Sequence, residues 1–186
     1  MRIISGLFKG KKIYEPIDLK TRPLKDLTKE SIFNIINHSN KFKVNLVNSK
    51  ILDLFSGVGS FGIECLSRGA KNVVFIENYK KVLPILKQNL SNLESIQNFQ
   101  IIKKNIYEEG TLSNLNSNFD IIFLDPPYKY KNLSELLNII LQKKILNEKG
   151  ILILHRHKNE HQVFPLKFKV VEEKKYGISK IVFLTY

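Results

Sequence analysis

Apolar residues recur along the chain at intervals of two in some blocks and of three to four in others, and the alternation of these periods predicts its elements. Arg2 to Ser5 and Lys11 to Tyr14 read as two short strands joined through Gly6 and Gly10. Leu24 to His38 reads as a helix with Leu27, Ile32, Phe33, Ile35 and Ile36 inward. From Lys50 a strand (Ile51 to Phe55), a glycine-rich turn, a helix (Ser60 to Arg68) and a strand (Val73 to Ile76) follow, a βαβ order that implies a parallel sheet. The pattern continues with a helix from Lys80 to Leu93, a strand from Phe99 to Ile102, a short helix after Asn105 and a strand from Ile121 to Leu124. A helix from Leu133 to Lys143 and a strand from Gly150 to His155 come next. Two closing strands, Phe168 to Lys174 and Ser179 to Thr185, are joined by Lys175-Tyr176-Gly177-Ile178, short enough for a hairpin. The expected fold is α/β and Rossmann-like. It has a mostly parallel seven-stranded sheet ending in an antiparallel hairpin, preceded over residues 1–45 by a small β-hairpin and helix. No internal repeat or low-complexity tail is present, and Asn114 to Asn118 is a polar loop.

A chain of 186 residues with 43% hydrophobic content supports one well-buried domain with a small appendage. No apolar stretch approaches the roughly 18 residues that span a bilayer, and Met1-Arg2-Ile3-Ile4-Ser5-Gly6 lacks a signal-peptide core, so a cytoplasmic protein is expected. The single cysteine, Cys65, excludes an internal disulfide and any multi-cysteine metal centre, and reads as a small core residue. The histidines, His38, His155, His157 and His161, lack metal-ligand spacing. They read as surface or loop residues, and no metal is expected.

Thirty basic residues against 17 acidic ones give a formal charge of +13. The bias of 26 Lys to 4 Arg, with 18 Asn and 24 Ile, would fit an AT-rich genome, so the distribution says more than the total. Residues 1–50 hold 11 cations against 4 anions, while residues 51–186 hold 19 against 13. About a quarter of the chain thus carries over half the net charge, which points to a nucleic-acid surface near the N-terminus. Arg2, Lys9, Lys11 and Lys12 are its candidates.

Two motifs carry the chemistry. Asp125-Pro126-Pro127-Tyr128 follows the apolar run from Ile121 to Leu124, where a buried parallel strand would end. Successive prolines stiffen the loop and remove two backbone donors, leaving the Asp125 side chain and the Pro126 carbonyl as acceptors for an exocyclic amine. Tyr128 would add a stacking face, worth roughly 1–3 kcal/mol per base on such platforms. A merely rigid loop closing a strand is the alternative. The second motif is Gly57-x-Gly59-x-x-Gly62 after the first strand, with Glu77 at the end of the second. This pattern also fits dinucleotide binding, where the glycines approach a pyrophosphate and the acid holds ribose hydroxyls. Asp53 at the mouth of the turn would repel a pyrophosphate but attract the ammonium and sulfonium of S-adenosylmethionine. Phe55, Gly57, Gly59, Glu77, Asn78 and Asp125 join Asp53 as candidate cofactor contacts, with Asn105 and Ile106 lining the adenine; an ordinary helix cap is the other reading of Asn105.

Taken together, these motifs resemble the RsmD-type family of 16S ribosomal RNA (guanine-N2)-methyltransferases, of the class I S-adenosylmethionine-dependent type. The resemblance spans nearly the whole chain. It includes Arg2-Ile3-Ile4-Ser5-Gly6 with Gly10, Arg22-Pro23 leading to Asp26 and Glu30-Ser31-Ile32-Phe33-Asn34, the block from Asp53 to Glu64, and Ile76-Glu77. It implies residues 1–45 as an RNA-contacting appendage, residues 46–186 as the methyltransferase domain, Arg22 as a contact near cofactor or RNA, and a small-subunit rRNA or particle as partner of a monomer. Leu24 departs from the family's Thr, Lys29 from its common Arg, and His155-Arg156-His157 from its acidic residue after strand five.

The expected mechanism uses neither metal nor covalent intermediate. Asp125 and the Pro126 carbonyl would turn the guanine N2 lone pair toward the sulfonium methyl and stabilise the charge that develops on nitrogen, and Asp125 would accept the proton. The base must come from a loop or be flipped out. Lys129 and Lys131 would hold flanking phosphates. Two other readings share the sequence: an adenine-N6 methyltransferase, and a non-catalytic RNA-binding assembly factor.

Overall fold

A computed structural model describes residues 1–16, 18, 24–115, 118–127 and 130–186. Its elements are α1 (Asp26–His38), β1 (Lys50–Leu54), α2 (Ser60–Ser67), β2 (Asn72–Ile76), α3 (Leu83–Ser91) and β3 (Phe99–Ile102). They continue with β4 (Phe119–Leu124), α4 (Leu133–Gln142), β5 (Leu146–His157), β6 (Lys169–Tyr176) and β7 (Ser179–Thr185). The seven strands form one sheet in the order β3-β2-β1-β4-β5-β7-β6. The first five in that order are mutually parallel, and β7 joins β5 and β6 antiparallel, so the expected sheet and closing hairpin are both present.

The central strands are nearly continuous Ile, Leu, Val and Phe because both faces of the sheet are covered. On one face Ile51, Phe75, Ile121, Phe123, Ile153 and Phe183 pack with α1, α2 and α3. On the other, Leu52, Leu54, Ile122, Leu124, Leu152 and Leu154 pack with Leu133, Leu136, Leu137 and Ile140 of α4. Phe33, Phe61 and Phe123 stack in sequence from α1 through α2 to the sheet, with ring centroids 5.3 and 4.1 Å apart. Ile3, Phe8 and Ile13 belong to the same apolar cluster, so the N-terminal segment shares the core of the sheet.

The expectations need correction at three places. The two N-terminal strands are a looped segment with a single bridge, Arg2 to Lys12, held by Ile3 N to Lys11 O (2.9 Å) and Ile13 N to Met1 O (3.0 Å). In α1, Leu27 faces solvent at 71% exposure, while Lys29 is fully buried beside Ile32, Phe33 and Ile36. The 3.6-residue period puts 29, 32, 33 and 36 on one face, and a lysine with buried partners takes the place expected of an apolar residue. The stretch after Asn105 makes successive turns (Glu108 N to Asn105 O, Thr111 N to Glu108 O, Asn114 N to Gly110 O) in place of the short helix.

Candidate active site at the carboxyl ends of the strands

The chain leaves β1 toward β2 on one side and returns as β4 on the other, so the crevice beyond their carboxyl ends is the switch point where ligands of open α/β sheets bind. Leu54 is level with Ile76 and with Leu124, and Leu124 with Leu154. Phe55, Glu77, Asp125 and His155 therefore leave four adjacent strands at one height, with Asp53 one side-chain repeat behind Phe55.

The glycine turn is organised by two carboxylates. Gly57 N donates to Glu77 Oε2 (2.8 Å) and Gly62 N to Asp53 Oδ2 (3.0 Å), while Tyr79 N donates to Glu77 Oε1 (2.8 Å). Burial pushes the Asp53 carboxyl well above the usual carboxylate range; the Gly62 N–H opposes this, and the charges of Asp125 and Glu77 reinforce it. Asp53 Oδ1 is buried with no hydrogen-bond partner. A buried acceptor without a donor, among three carboxylates, fits a cationic ligand and opposes a pyrophosphate.

Beyond β4 the Asp-Pro-Pro loop is clamped from β5. Arg156, 5% exposed, donates from Nη1 to Pro127 O (3.1 Å) and from Nη2 to Tyr130 O (3.3 Å), and it is ion-paired with Glu160. Asp125 Oδ1 accepts from His155 Nδ1 at 2.9 Å. The surface-or-loop reading of His155 is thus overturned: β5 runs on to His157, His155 pairs with Ile181 of β7, and its side chain is buried. The signal was available in strand arithmetic, since His155 follows Leu154 as Asp125 follows Leu124.

An aromatic wall beside this loop also escaped the sequence reading. Tyr130 meets Phe55 edge to face at 5.0 Å and stacks on Tyr107 at 6.3 Å, and Tyr107 donates to Asn132 O (2.7 Å). Burial is the main cause that pushes both phenols above their ordinary value.

The remaining candidates are distributed around this centre. Asn78 is exposed directly after Glu77. Asn105 turns its Oδ1 to Tyr107 N (3.1 Å), capping the turn beyond β3, and Ile106 is buried. Lys131 is exposed two residues before α4, and Arg2, Lys9, Lys11 and Lys12 are exposed on the N-terminal loop. Lys11 Nζ reaches Asn92 O (2.9 Å) over the Phe8 ring, and Lys12 Nζ lies over Tyr14. Arg22, Tyr128 and Lys129 lie outside the described residues.

Two buried polar side chains fasten the N-terminal segment to the site. Asn89 accepts from Tyr14 N (2.8 Å) and donates to Tyr14 O and to Val58 O in the glycine turn (both 3.0 Å). Glu64 accepts from Ile4 N (2.8 Å), Ser5 N (2.9 Å) and Arg68 Nε (2.7 Å), with Lys29 Nζ 3.7 Å away. Lys29 also donates to Arg2 O (2.7 Å), and burial pulls its ammonium below the ordinary lysine value despite the carboxylates of Glu64 and Asp26. Cys65 is buried and its thiol is pushed up by desolvation, the opposite of an activated nucleophile. Among the described residues no three His, Cys, Asp or Glu side chains converge as metal ligands.

The sheet order, the glycine turn after β1 and the Asp-Pro-Pro loop after β4 define a class I S-adenosylmethionine-dependent methyltransferase. A family model described as "Conserved hypothetical protein 95" matches residues 1–185, and the chain belongs to that family. It is 30% identical over 179 residues to ribosomal RNA small subunit methyltransferase D of Haemophilus influenzae, covering 96% of this chain and 90% of that one. The protein of the same name from Escherichia coli is 28% identical, with coverage of 95% and 85%. The solved yhhF structure from Escherichia coli superposes with a TM-score of 0.79 at 26% identity, covering 99% of this chain and 96% of that one. The ribosomal protein L11 methylase of Lactobacillus delbrueckii, 16% identical, shares the fold with a TM-score of 0.61 over 94% and 90% of the two chains. The family expected from the sequence is borne out. No helix among the described residues is long and apolar enough to cross a membrane.

Proposed function

We propose that the protein transfers a methyl group from S-adenosylmethionine to the exocyclic N2 amine of a guanine in 16S ribosomal RNA. The observation that carries this reading is the meeting of Asp53, Glu77 and Asp125 at adjacent strand ends, with Asp53 Oδ1 buried and without a donor. Asp53 takes the ligand's ammonium, Glu77 its ribose hydroxyls, and the backbone of Phe55, Gly57 and Gly59 its flank, while Asn78, Asn105 and Ile106 line the adenine. The cofactor supplies a methyl group on a sulfonium.

The chain's own residues then have three tasks. Asp125 and the Pro126 carbonyl accept from the guanine amine and turn its lone pair out of the ring plane. They stabilise the charge that grows on nitrogen, a kind of contact worth ~3–4 kcal/mol where single donors have been removed elsewhere. Pro127, clamped by Arg156, holds the loop rigid, and Tyr128 stacks on the base. Residues 1–45, through Arg2, Lys9, Lys11, Lys12 and Arg22, bind the RNA backbone along with Lys129 and Lys131, while residues 46–186 carry the reaction. The protein acts as a cytoplasmic monomer on the small-subunit rRNA or particle; the names of its relatives support an rRNA substrate.

The test is incubation with methyl-labelled S-adenosylmethionine and unmodified small-subunit RNA or particles, followed by nucleoside mass spectrometry. N2-methylguanosine is expected, and Asp125→Ala should reduce it at least about 100-fold while the protein stays folded. N6-methyladenosine would overturn the guanine assignment, and no labelled nucleoside would leave a binding factor.

A further inference from the structure

We infer that His155 is a positioning residue for methyl transfer, orienting the Asp125 carboxylate so that Oδ1 is held by the imidazole and Oδ2 faces the target amine. This inference rests on the reading of Asp125 as acceptor for that amine.

The need for such a residue follows from the loop's composition. An aspartate at a strand end is usually fixed by backbone N–H groups one or two residues ahead of it, as in an Asx turn. Residues 126 and 127 are both proline, so neither donor exists. The backbone of Asp125 is held only loosely, its N–H lying 3.5 Å from Leu54 O. Rigid as the loop is, Pro126 and Pro127 offer the carboxylate no donor to set its torsion. His155 supplies the missing donor from the neighbouring strand, with Nδ1 at 2.9 Å from Oδ1 and side-chain exposures of 10% and 21% for the pair. In a setting this dry the bond is stronger than it would be in water.

Strand register makes the contact dependable. Leu124 and Leu154 are paired, so Asp125 and His155 emerge side by side on one face, and β7 braces His155 from its far side through Ile181. Once ionised against a bound cation, Asp53 places negative charge near Asp125, which would swing a loose carboxylate away; the imidazole N–H opposes that swing. With Oδ1 engaged, Oδ2 is the oxygen left to the amine.

The proton then has a defined route. The amine lone pair forms the N–C bond as the S–C bond breaks and its electron pair stays on sulfur. The surplus proton on nitrogen passes to Asp125 Oδ2 and from there to solvent, while His155 keeps its Nδ1 proton throughout. The arrangement follows the general logic of a reacting group oriented by a second side chain.

The test compares His155→Phe, His155→Asn and His155→Gln in methyl transfer to the small-subunit RNA. The Asn amide can place a donor near Nδ1, whereas the Gln amide extends to the Nε2 side. His155→Phe should lower kcat by ~10–100-fold, as loss of an orienting partner does at other sites, with KM for S-adenosylmethionine within about twofold of wild type. His155→Asn should recover most of that loss and His155→Gln little of it. Should the Phe variant not fold, the Asn and Gln pair alone decides, since equal rates in those two overturn the inference. A Phe variant at full kcat beside an active wild type also overturns it and leaves the proposed function standing. A wild type that transfers no methyl group to RNA defeats both.

Discussion

Gly6 and Gly10 have nearly the same backbone, with φ of +84° and +88°, but only one of them has room for a side chain. A Cβ at Gly10 meets nothing within 4 Å, whereas a Cβ at Gly6 would lie 1.9 Å from Ser67 O and 2.3 Å from its carbonyl carbon. Alanine at either site adopts the left-handed region at ~1–2 kcal/mol. At Gly6 the loop must also retreat by more than about 1 Å to restore van der Waals distance, because the obstacle is backbone at the end of α2. That retreat stretches Leu7 N to Ser67 O (2.7 Å) and Phe8 N to Ser67 Oγ (3.0 Å), two of the bonds that seat the loop on α2. Each is worth ~0.5–1.5 kcal/mol, and more where a buried partner is left unsatisfied. Gly6→Ala should therefore cost about 3–5 kcal/mol against roughly 1–2 for Gly10→Ala, or ~6–20 °C against ~2–8 °C in Tm for a chain of this size. Thermal unfolding of the two variants by circular dichroism reads the difference. Equal shifts would show that the loop does not sit on α2 as described, and would refute the reasoning.

Three further outcomes follow from buried or clustered charge. Because burial raises the Asp53 carboxyl well above its ordinary value, the free protein keeps that proton from the usual aspartate range up to the raised one. A cationic ligand favours the ionised form, so binding should expel a proton and tighten with rising pH across that window. Asp53→Asn should bind more weakly and lose both effects in calorimetry with buffers of different ionisation heat. The sign for stability is opposite: the raised carboxyl stabilises the fold fully below the ordinary aspartate pKa, and this is lost as pH climbs through the raised value, so Asp53→Asn should gain relative stability at high pH. Neutralising Lys9, Lys11 and Lys12 together should lower the slope of log K against log salt for RNA by up to ~2–3 with the fold intact, and an unchanged slope removes the N-terminal loop from the interface. Lys29→Met should cost about 3 kcal/mol in urea unfolding, near the low end for breaking a buried pair, because Arg68 still compensates Glu64.

The sheet was legible because its strands are buried on both faces and punctuated by turns, so their identity survives without tertiary knowledge. Element ends moved by only a few residues where hydrogen bonding continued past the apolar run, as in β5, which extends through Asn147, Glu148 and Lys149 to Leu146. Hydropathy misplaces Leu27 and passes over Lys29 because it ranks side chains without their partners. A lysine is costly to bury alone, yet Lys29 finds Arg2 O and Ser60 Oγ as acceptors and two carboxylates from other parts of the chain. The glycine turn and the Asp-Pro-Pro loop are contiguous and could be read. Asn89, Glu64, Arg156 and His155 reach the loops they hold across 25 residues or more of chain, and local periodicity does not reveal those partners.

The distribution of charge ties the two proposed ligands together. A chain with formal charge +13 places three carboxylates, Asp53, Glu77 and Asp125, within one crevice and keeps lysines exposed on the N-terminal loop and at Lys131. A cation is drawn into such a crevice, while a phosphate backbone is repelled from it. RNA bound under that field cannot lower a helix into the site, because the phosphates would enter with the base. Only a nucleotide whose base projects away from its backbone avoids this, which is why the acidic crevice favours a loop or flipped base over a paired one.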